Sequence, residues 1–335
     1  MSAVFSLPNV SCEKRITGYG AQRPPRARGE KAADPCEHKS TMKLVMTLLV
    51  RDESDIIEKN IEFHRSMGVD HFIITDNCSV DGTREILSRY VDAGIAEVFH
   101  EPALDYEQGR WVTRMAQMAS TKYNADWVIN ADADEFFWPI DGVSIKDALA
   151  KIPRSFSMVE VYPVNMIPPP GKWDAPWHQA YTYIDAMSSK PLSRKVVHRG
   201  SAHVVVWQGN HGVDGDGFTD FAPDQPLKIF HFPDRGYAHY RRKIENGGRA
   251  YAANTRLPVE FGHHWREHFE MLQAGTLEAT YQLRRMTEAQ FAARVKAGAV
   301  YQVSTLNHYL AELDARSKSW WSRKFRKLFK VALRR

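Results

Sequence analysis

Residues 43–50 read Lys43-Leu-Val-Met-Thr-Leu-Leu-Val50, a continuous apolar run of strand length. Such a run is typical of a strand that a parallel sheet buries on both faces. Polar residues 51–54 come next, and apolar side chains then recur at helical spacing until Gly68 ends the pattern. This order of strand, polar turn and helix predicts the first unit of an α/β fold.

The alternation of strands and helices continues to about residue 140. Strands joined by helical crossovers form a parallel, doubly wound sheet, and ligands bind at the carboxyl ends of its strands. Polar clusters at 51–54, 76–83 and 130–135 follow predicted strands, so we expect them to meet at one edge. The predicted strands are 43–50, 71–75, 95–99, 126–130 and, in a less regular second half, 156–163, 195–206 and 227–232; the predicted helices are 56–67, 84–91, 107–122, 236–253 and a series from about 264.

The charge is distributed unevenly along the 335 residues, whose formal net charge is +5. Residues 316–335 hold nine Lys or Arg and no acidic residue, whereas residues 42–315 hold 29 basic and 36 acidic residues. A nucleic-acid enzyme normally carries its basic surface on the folded domain. We therefore predict an acidic body with no nucleic-acid partner.

Four segments follow from composition and pattern. Residues 1–41 predict a disordered arm, because Pro, Gly and charged residues are dense there and no apolar period is present. Met42 directly precedes the first strand, and a start at this residue would leave the arm untranslated. The other segments are an α/β domain at 42–255, a helical extension at 256–315 and a basic tail at 316–335.

The tail predicts the location of the protein. Trp321, Phe325 and Leu328 fall on one helical face, and most of the Lys and Arg residues fall elsewhere. A basic amphipathic helix of this kind favours an anionic membrane surface; a disordered tail or one that docks on the core is the alternative. Because Cys78 is the single cysteine of residues 42–315, a reducing compartment is expected. We predict a cytoplasmic protein, peripheral on the inner membrane.

The strongest chemical motif is Asn130-Ala-Asp-Ala-Asp-Glu-Phe-Phe137, which follows the fourth predicted strand. Asp132 and Asp134 can converge on one hard divalent cation, and Mg²⁺ or Mn²⁺ takes oxygen ligands that it often shares with substrate phosphates. An acidic turn that only caps the strand is the alternative interpretation. We predict a metal site here.

A second polar motif is Asp76-Asn-Cys-Ser-Val-Asp-Gly-Thr83, at the start of a predicted helix. Free N–H groups and the helix dipole attract anions at such a position, and Asp76 and Asn77 can hydrogen-bond a base or a ribose. Ordinary capping of the helix by Ser79 or Asp81 is the alternative. Neither a Walker loop nor a G-x-G-x-x-G motif is present in the sequence.

Taken in order, these motifs resemble the family-2-type glycosyltransferases with a GT-A fold, and most of all the bacterial branch whose acidic motif reads Asp-x-Asp-Glu-Phe. The resemblance covers roughly residues 43–255. Its residues are Arg51-Asp-Glu-Ser54, Glu62-Phe-His64, Gly68-Val-Asp-His71, Asp76-Asn-x-Ser-x-Asp-Gly-Thr83, Asp126-Trp-Val128, Asp132-Ala-Asp-Glu-Phe136, Lys195-Val-Val197, Gly209-Asn-His-Gly212 and Leu227-Lys-Ile-Phe-His-Phe-Pro-x-Arg235, and it ends near Tyr240-Arg-Arg-Lys243 and Asn246-Gly247.

The resemblance implies a GT-A-like doubly wound, mostly parallel sheet with an irregular acceptor-side half and C-terminal helices. It also implies inverting transfer of a sugar from a nucleotide-diphosphate donor to a glycan or lipid-linked glycan acceptor, with Mn²⁺ or Mg²⁺ as cofactor. Asp134 would be the main metal ligand and Asp132 would contact the metal or the ribose. The remaining donor-binding residues would be Glu53, Asp76, Asn77 and Asp81.

Histidines and acids of the second half supply further candidates. His231 follows an apolar strand and could be a third metal ligand, or else a core histidine. Inversion requires a general base, for which the candidates are His211, Asp214, Asp216 and Asp234. Tryptophans of this half could stack on sugars or belong to the core: Trp173, Trp177 and Trp207.

Two other functions remain open at this point. A nucleotidyltransferase also uses paired carboxylates on a doubly wound sheet, although it normally carries a glycine-rich loop after its first strand, and residues 51–54 contain no glycine. A non-catalytic, glycan-binding protein on a related fold is the second alternative.

Overall fold

The computed structural model describes residues 42–103, 107–186, 193–254 and 262–315. The arm 1–41 and the tail 316–335, with the predictions made for them, lie outside these residues. The strands in chain order are β1 (Leu44–Val50), β2 (His71–Asp76), β3 (Ala96–His100), β4 (Trp127–Asp132), β5 (Glu135–Pro139), β6 (Met158–Val161), β7 (Pro163–Ile167), β8 (Tyr183–Asp185), β9 (Lys195–Arg199), β10 (Val205–Val206), β11 (Val213–Asp214), β12 (Leu227–His231) and β13 (Val300–Gln302).

The helices lie mostly in the first and last thirds of the chain. They are α1 (Ile57–Ser66), α2 (Thr83–Asp92), α3 (Gln108–Thr121), α4 (Ile145–Ala150), α5 (Trp177–Ala180), α6 (Tyr237–Ala253), α7 (His263–Gln273), α8 (Leu277–Leu283) and α9 (Glu288–Lys296). Residues 305–315 are helical as well. In the part of the chain that the structure describes, no helix is both long and apolar enough to span a membrane.

The central sheet has six strands in the order β3-β2-β1-β4-β9-β6. The first four run parallel, and β9 runs antiparallel to both of its neighbours. Apolar side chains of β1 are buried on both faces, with Leu44 and Leu48 in one core and Val45 in another that includes Met115 of α3. This explains the continuous apolar run and confirms the predicted fold class.

The second sheet contains strands of the irregular half, in the order β13-β8-β7-β12-β5. Two residues separate the end of β4 from the start of β5 at Glu135, so the chain passes from one sheet to the other through Ala133 and Asp134. β12 pairs antiparallel with β5, and His231 stands opposite Glu135. The acidic motif and His231 are therefore brought together where the two sheets meet.

Strand boundaries in the second half differ from the predicted ones. The predicted strand 156–163 is two strands, β6 and β7, which belong to different sheets. The predicted strand 195–206 is two strands, β9 and β10, and the first ends just before Gly200, where a Cβ atom would be 1.9 Å from the carbonyl oxygen of Ala125. The helical extension 256–315 also contains β13, which pairs with β8 and joins the extension to the second sheet.

Candidate functional site

A cleft of about 210 Å³ opens at the carboxyl ends of β1 and β4, and α6 forms its opposite wall. Parallel α/β sheets bind ligands at this edge. The lining includes five of the predicted site residues: Glu53, Asn77, Asp132, Asp134 and His231.

The acidic turn is fixed by side chains that the sequence motifs do not mark as functional. The amide nitrogen of Asn60, a fully buried residue of α1, donates to the carbonyl oxygens of Ala133 and Glu135, at 2.9 Å each. Glu135 accepts the backbone N–H of Asp132 at 3.1 Å. Because both carbonyls and the N–H are paired, the turn holds Asp134 at the floor of the cleft.

Asp132 is held by three donors of the protein. Its Oδ2 atom lies 2.8 Å from Nζ of Lys195, which is buried and also lies 3.0 Å from Glu135. Its Oδ1 atom accepts from Gln108 at 3.3 Å and from Asn210 at 3.4 Å. Both carboxylate oxygens therefore face protein donors, and Asp132 links β4 to β9, α3 and the loop at 207–212.

Asp134, unlike Asp132, faces an atom that cannot donate a hydrogen bond to it, on the ring of His231. Nδ1 of His231 lies 2.9 Å from the amide oxygen of Asn165, so the proton of the ring sits on Nδ1 and Nε2 carries a lone pair. That Nε2 is 3.6 Å from Oδ1 of Asp134, so two acceptor atoms confront each other. A divalent cation satisfies such a pair, and the Asn165 contact is the kind of support that metal-binding histidines receive.

The charge states agree with this arrangement. Burial lowers the pKa of His231 to about 4, which leaves the imidazole neutral. Burial raises the pKa of Asp134, but the neighbouring charges, led by Lys243, outweigh burial and hold that pKa below its usual range. Asp134 is therefore ionised. These residues fit a Mn²⁺ or Mg²⁺ ion through Asp134 and His231, although His, Cys, Asp and Glu form no group of three around a metal position in the described residues.

Basic residues of α6 form the opposite wall. Nζ of Lys243 lies 2.9 Å from Oδ2 of Asp134, and Arg242 lines the cleft beside it. Just before α6, the buried guanidinium of Arg235 pairs with Glu53 and Asp55. Burial nevertheless raises the pKa of Glu53 to about 7. The cleft therefore offers cations to an anionic ligand and one acid that titrates near neutrality.

The predicted nucleoside-binding residues are only partly brought together. Asn77 lines the cleft, and its amide donates to the carbonyl oxygens of Glu101 and Ala103. Asp76 is fully buried and accepts from Nε of Arg84 at 2.7 Å. Asp81 accepts the backbone N–H of Thr83 at 3.1 Å and its hydroxyl at 2.6 Å, and it lies one residue before Gly82, the N-cap of α2.

The candidates for the general base lie at three different places. Nδ1 of His211 is bonded to the carbonyl oxygen of Arg194, and Nε2 has no hydrogen-bond partner among the described residues. Asp214 lies on the β10–β11 hairpin and accepts from Nε1 of Trp207 at 2.7 Å. Asp234 lies between β12 and α6 and accepts from the hydroxyl of Tyr281 at 2.6 Å.

Gly209 makes room for the His211 ring. Its φ is 77°, and a Cβ atom there would come within 2.5 Å of Nε2 of His211. The backbone N–H of Gly209 is bonded to Gln108 of α3, which also contacts Asp132. His211 is thus placed beside the Asp132 cluster by a loop that tolerates no side chain at Gly209.

The sequence resemblance ends on α6, near Lys243 and Asn246-Gly247, whereas α7 was not predicted as part of the site. Asn246 of α6 donates to the carboxylate of Asp52 at 2.7 Å, and both residues line the cleft together with Trp265 of α7. A Cβ atom at Gly247 would lie 2.4 Å from the Trp265 ring. A conspicuous signal was available, since the pair Gly247-Gly248 inside a predicted helix indicates close packing of a neighbour.

A family model matches the part of the chain that contains the acidic motif. The model of glycosyltransferase family 92 matches residues 46–205, which run from β1 to β10 and include the acidic motif. The chain carries a glycosyltransferase domain. The matching model describes family 92, so the assignment to the family-2 type and to its Asp-x-Asp-Glu-Phe branch stays a prediction. No curated protein matches the glycosyltransferase chain.

Two proteins with solved structures are similar to this chain at low identity. S. aureus TarS 1-349 is 12% identical, with 72% of this chain and 73% of that chain covered and a TM-score of 0.37. Its complex with UDP-GlcNAc is 12% identical, with 74% of this chain and 78% of that chain covered and a TM-score of 0.38. Glucosyl-3-phosphoglycerate synthase from Mycobacterium tuberculosis, in complex with Mn²⁺, UDP and glucosyl-3-phosphoglycerate, is 19% identical, with 37% of this chain and 45% of that chain covered and a TM-score of 0.26. Similarity at this level does not extend to ligands or activity.

Proposed function

We propose that the protein transfers a sugar from a nucleotide-diphosphate donor to a hydroxyl group of a glycan or lipid-linked glycan, with inversion at the anomeric carbon. One observation carries the proposal. An ionised Asp134 and a neutral His231 face each other at the carboxyl end of β4, with the cations of α6 across the same cleft. This is an arrangement suited to a metal-bound diphosphate.

The donor would lie between the strand ends and α6. Lys243 and Arg242 would attract the diphosphate, and Asn77 and Glu53 line the part of the cleft left for the nucleoside. A divalent cation held by Asp134 and His231 would supply Lewis-acid stabilisation of the departing diphosphate. Asp132, which is bound by Lys195, Gln108 and Asn210, would orient the surrounding groups rather than act alone.

His211 is the general base that we propose. Its Nε2 has no partner among the described residues, and burial keeps the ring neutral by lowering its pKa. A neutral imidazole can accept the proton of the acceptor hydroxyl while the oxygen attacks the anomeric carbon. Asp214 and Asp234 carry hydrogen bonds from Trp207 and Tyr281, so neither is as free to act.

The tail at 316–335 bears on where the acceptor would be located. A tail at 316–335 that binds anionic lipid would bring the cleft to a membrane-bound glycan. Removal of these residues should shift the protein from the membrane to the soluble fraction of a cell lysate, and unchanged fractionation would exclude this role.

Donor hydrolysis tests the proposed activity. We expect one of UDP-glucose, UDP-galactose, UDP-GlcNAc or GDP-mannose to raise the Tm by a few degrees when Mn²⁺ is present. The same donor should be slowly hydrolysed to the nucleoside diphosphate, and EDTA should stop the reaction. If instead a nucleoside triphosphate and a sugar phosphate yield pyrophosphate, the protein is a nucleotidyltransferase. If no donor binds, the glycan-binding alternative stands.

The pH dependence of transfer tests His211. A base acts when it is unprotonated, so kcat/KM should fall as the pH drops through the pKa of His211. Because burial lowers that pKa from its usual 6.5, we expect the acidic limb below pH 6.5. His211→Gln should lower kcat by about 100-fold and remove this limb. An acidic limb that persists in the His211→Gln enzyme would assign the base to another group.

A further inference from the structure

The three tryptophans of the second half divide by burial. Trp173 and Trp177 are 9% and 4% exposed, and Trp177 packs against Phe136 and Phe232 in the core. Trp207 is 45% exposed, although it is a large apolar side chain. The first two are core residues, so Trp207 alone of the three presents an open aromatic surface.

The indole of Trp207 is held on two sides. Its Nε1–H donates to Oδ2 of Asp214 at 2.7 Å. Its ring covers Gly212, where a Cβ atom would come within 2.5 Å of it. Since the hydrogen bond fixes the edge and Gly212 lies close against the ring, the exposure of the side chain leaves aromatic surface to solvent.

Trp207 is also tied to the proposed reaction centre. The backbone N–H of Trp207 donates to the carbonyl oxygen of Gly212, closing the loop that carries His211. Three residues along this loop, Asn210 contacts Asp132. Three residues span at most about 11 Å between Cα atoms, so the Cα atom of Trp207 lies within that distance of the Cα atom of Asn210, the residue that contacts Asp132.

We propose that Trp207 is the platform on which the acceptor glycan rests, with one pyranose ring stacked on the open face of the indole. This rests on the proposed function. An aromatic face carries partial negative charge and attracts the C–H-rich face of a pyranose, while the edge of an indole keeps its hydrogen bond. The exposed indole lies on the same loop as the proposed base, which favours a sugar as its ligand. A lipid chain is less favoured, because a single ring offers it little apolar area.

If Trp207 binds the acceptor, Asp214 is a positioning residue and not the base. It acts by holding the Trp207 indole through the hydrogen bond to Nε1. An asparagine at this position still offers an oxygen to Nε1, whereas an alanine does not. The two substitutions at Asp214 therefore separate positioning from proton transfer.

The test measures nucleoside diphosphate release from the preferred donor with Mn²⁺, in the presence of methyl glycosides of glucose, galactose, mannose and N-acetylglucosamine. At least one glycoside should stimulate release. Trp207→Ala should raise the KM for that glycoside about tenfold, and Trp207→Phe should raise it less. Asp214→Ala should raise the same KM, whereas Asp214→Asn should leave it near the value of the parent protein. In all of these variants the affinity for UDP with Mn²⁺, measured by calorimetry, should change less than about twofold.

Tyr301→Ala is the matched control, because Tyr301 is an aromatic residue on β13 whose side chain is exposed to a similar degree, 46%. An unchanged glycoside KM in Trp207→Ala overturns the platform, and so does stimulation by none of the glycosides. A large loss of kcat in both Asp214 variants would make Asp214 the base and overturn its positioning role. If Trp207→Ala weakens binding to anionic vesicles and leaves KM unchanged, the indole contacts membrane instead. Absence of any donor hydrolysis would contradict the proposed function itself.

Discussion

Asp134→Asn is expected to lower Mn²⁺-dependent donor hydrolysis by about 1,000-fold, which is the largest functional effect that we predict for a single substitution. The asparagine has the same shape, but it lacks the charge that faces Nε2 of His231 and Nζ of Lys243. Calorimetric titration with Mn²⁺ should show a matching loss of affinity. This second measurement detects the cation without relying on turnover.

The matched control for this substitution is Asp126→Asn at the opposite end of β4. Asp126 accepts the backbone N–H of Lys43 at 2.6 Å, far along the strand from the cleft. We expect this variant to hydrolyse the donor within about twofold of the parent. Retention of Mn²⁺ affinity in the Asp134→Asn protein would show that the ion binds elsewhere.

Lys195→Met is expected to lower the free energy of unfolding by about 3–5 kcal/mol, the largest stability effect that we predict. The ammonium group lies between Asp132 and Glu135, and the Lys195 and Glu135 side chains are 7% and 2% exposed. Methionine fills similar space but leaves a buried carboxylate without its cation. Chemical denaturation monitored by circular dichroism measures the change.

The destabilisation should depend on pH with a definite sign. Burial raises the pKa of Glu135 to about 7 in the intact protein, so the folded state holds more protons than the unfolded state between about pH 4.5 and 7. Without Lys195 the pKa should rise further. Stability of the Lys195→Met protein should therefore fall as the pH rises, with a larger deficit at pH 8 than at pH 5.5.

Two variants check the physical reason. Adding Glu135→Gln to Lys195→Met removes one buried charge and should recover about half of the lost stability. Lys122→Met breaks an exposed pair with Glu97 and should cost less than about 1 kcal/mol. Equal losses at Lys195 and Lys122 would mean that the buried carboxylates are compensated by groups other than Lys195.

The first half of the fold could be predicted because burial on both faces leaves a clear trace. β1 is buried on both faces and shows no polar face, and the helices after β1 and β2 are each followed, two residues after their last residue, by a glycine of positive φ, Gly68 and Gly94. The second half could not be predicted as well. β6 and β7 are short, adjacent and in different sheets, and no local pattern says which sheet a four-residue strand joins.

The same limit applies to the site. Residues at strand ends, such as Asp134 and His231, were predicted because parallel topology forces strand ends together. Asp76 accepts the backbone N–H of Ser79 and pairs with Arg84, contacts that spacing does not reveal, and its role in nucleoside binding stays a prediction. Asn60 and Asn246 act across more than 70 residues of sequence, and their partners follow from packing that spacing does not encode.

The pairing of β5 with β12 has a consequence for how such a chain can change in length. His231 is opposite Glu135 because five consecutive residue pairs fix the register of these strands. A deletion of one residue inside either strand would turn the imidazole to the other face of the sheet. Insertions in loops between Ile140 and Pro226 would leave that register intact, provided that they fall outside β7 and β9, which carry Asn165 and Lys195. The edge that we propose for the donor can therefore stay constant while those loops change in length.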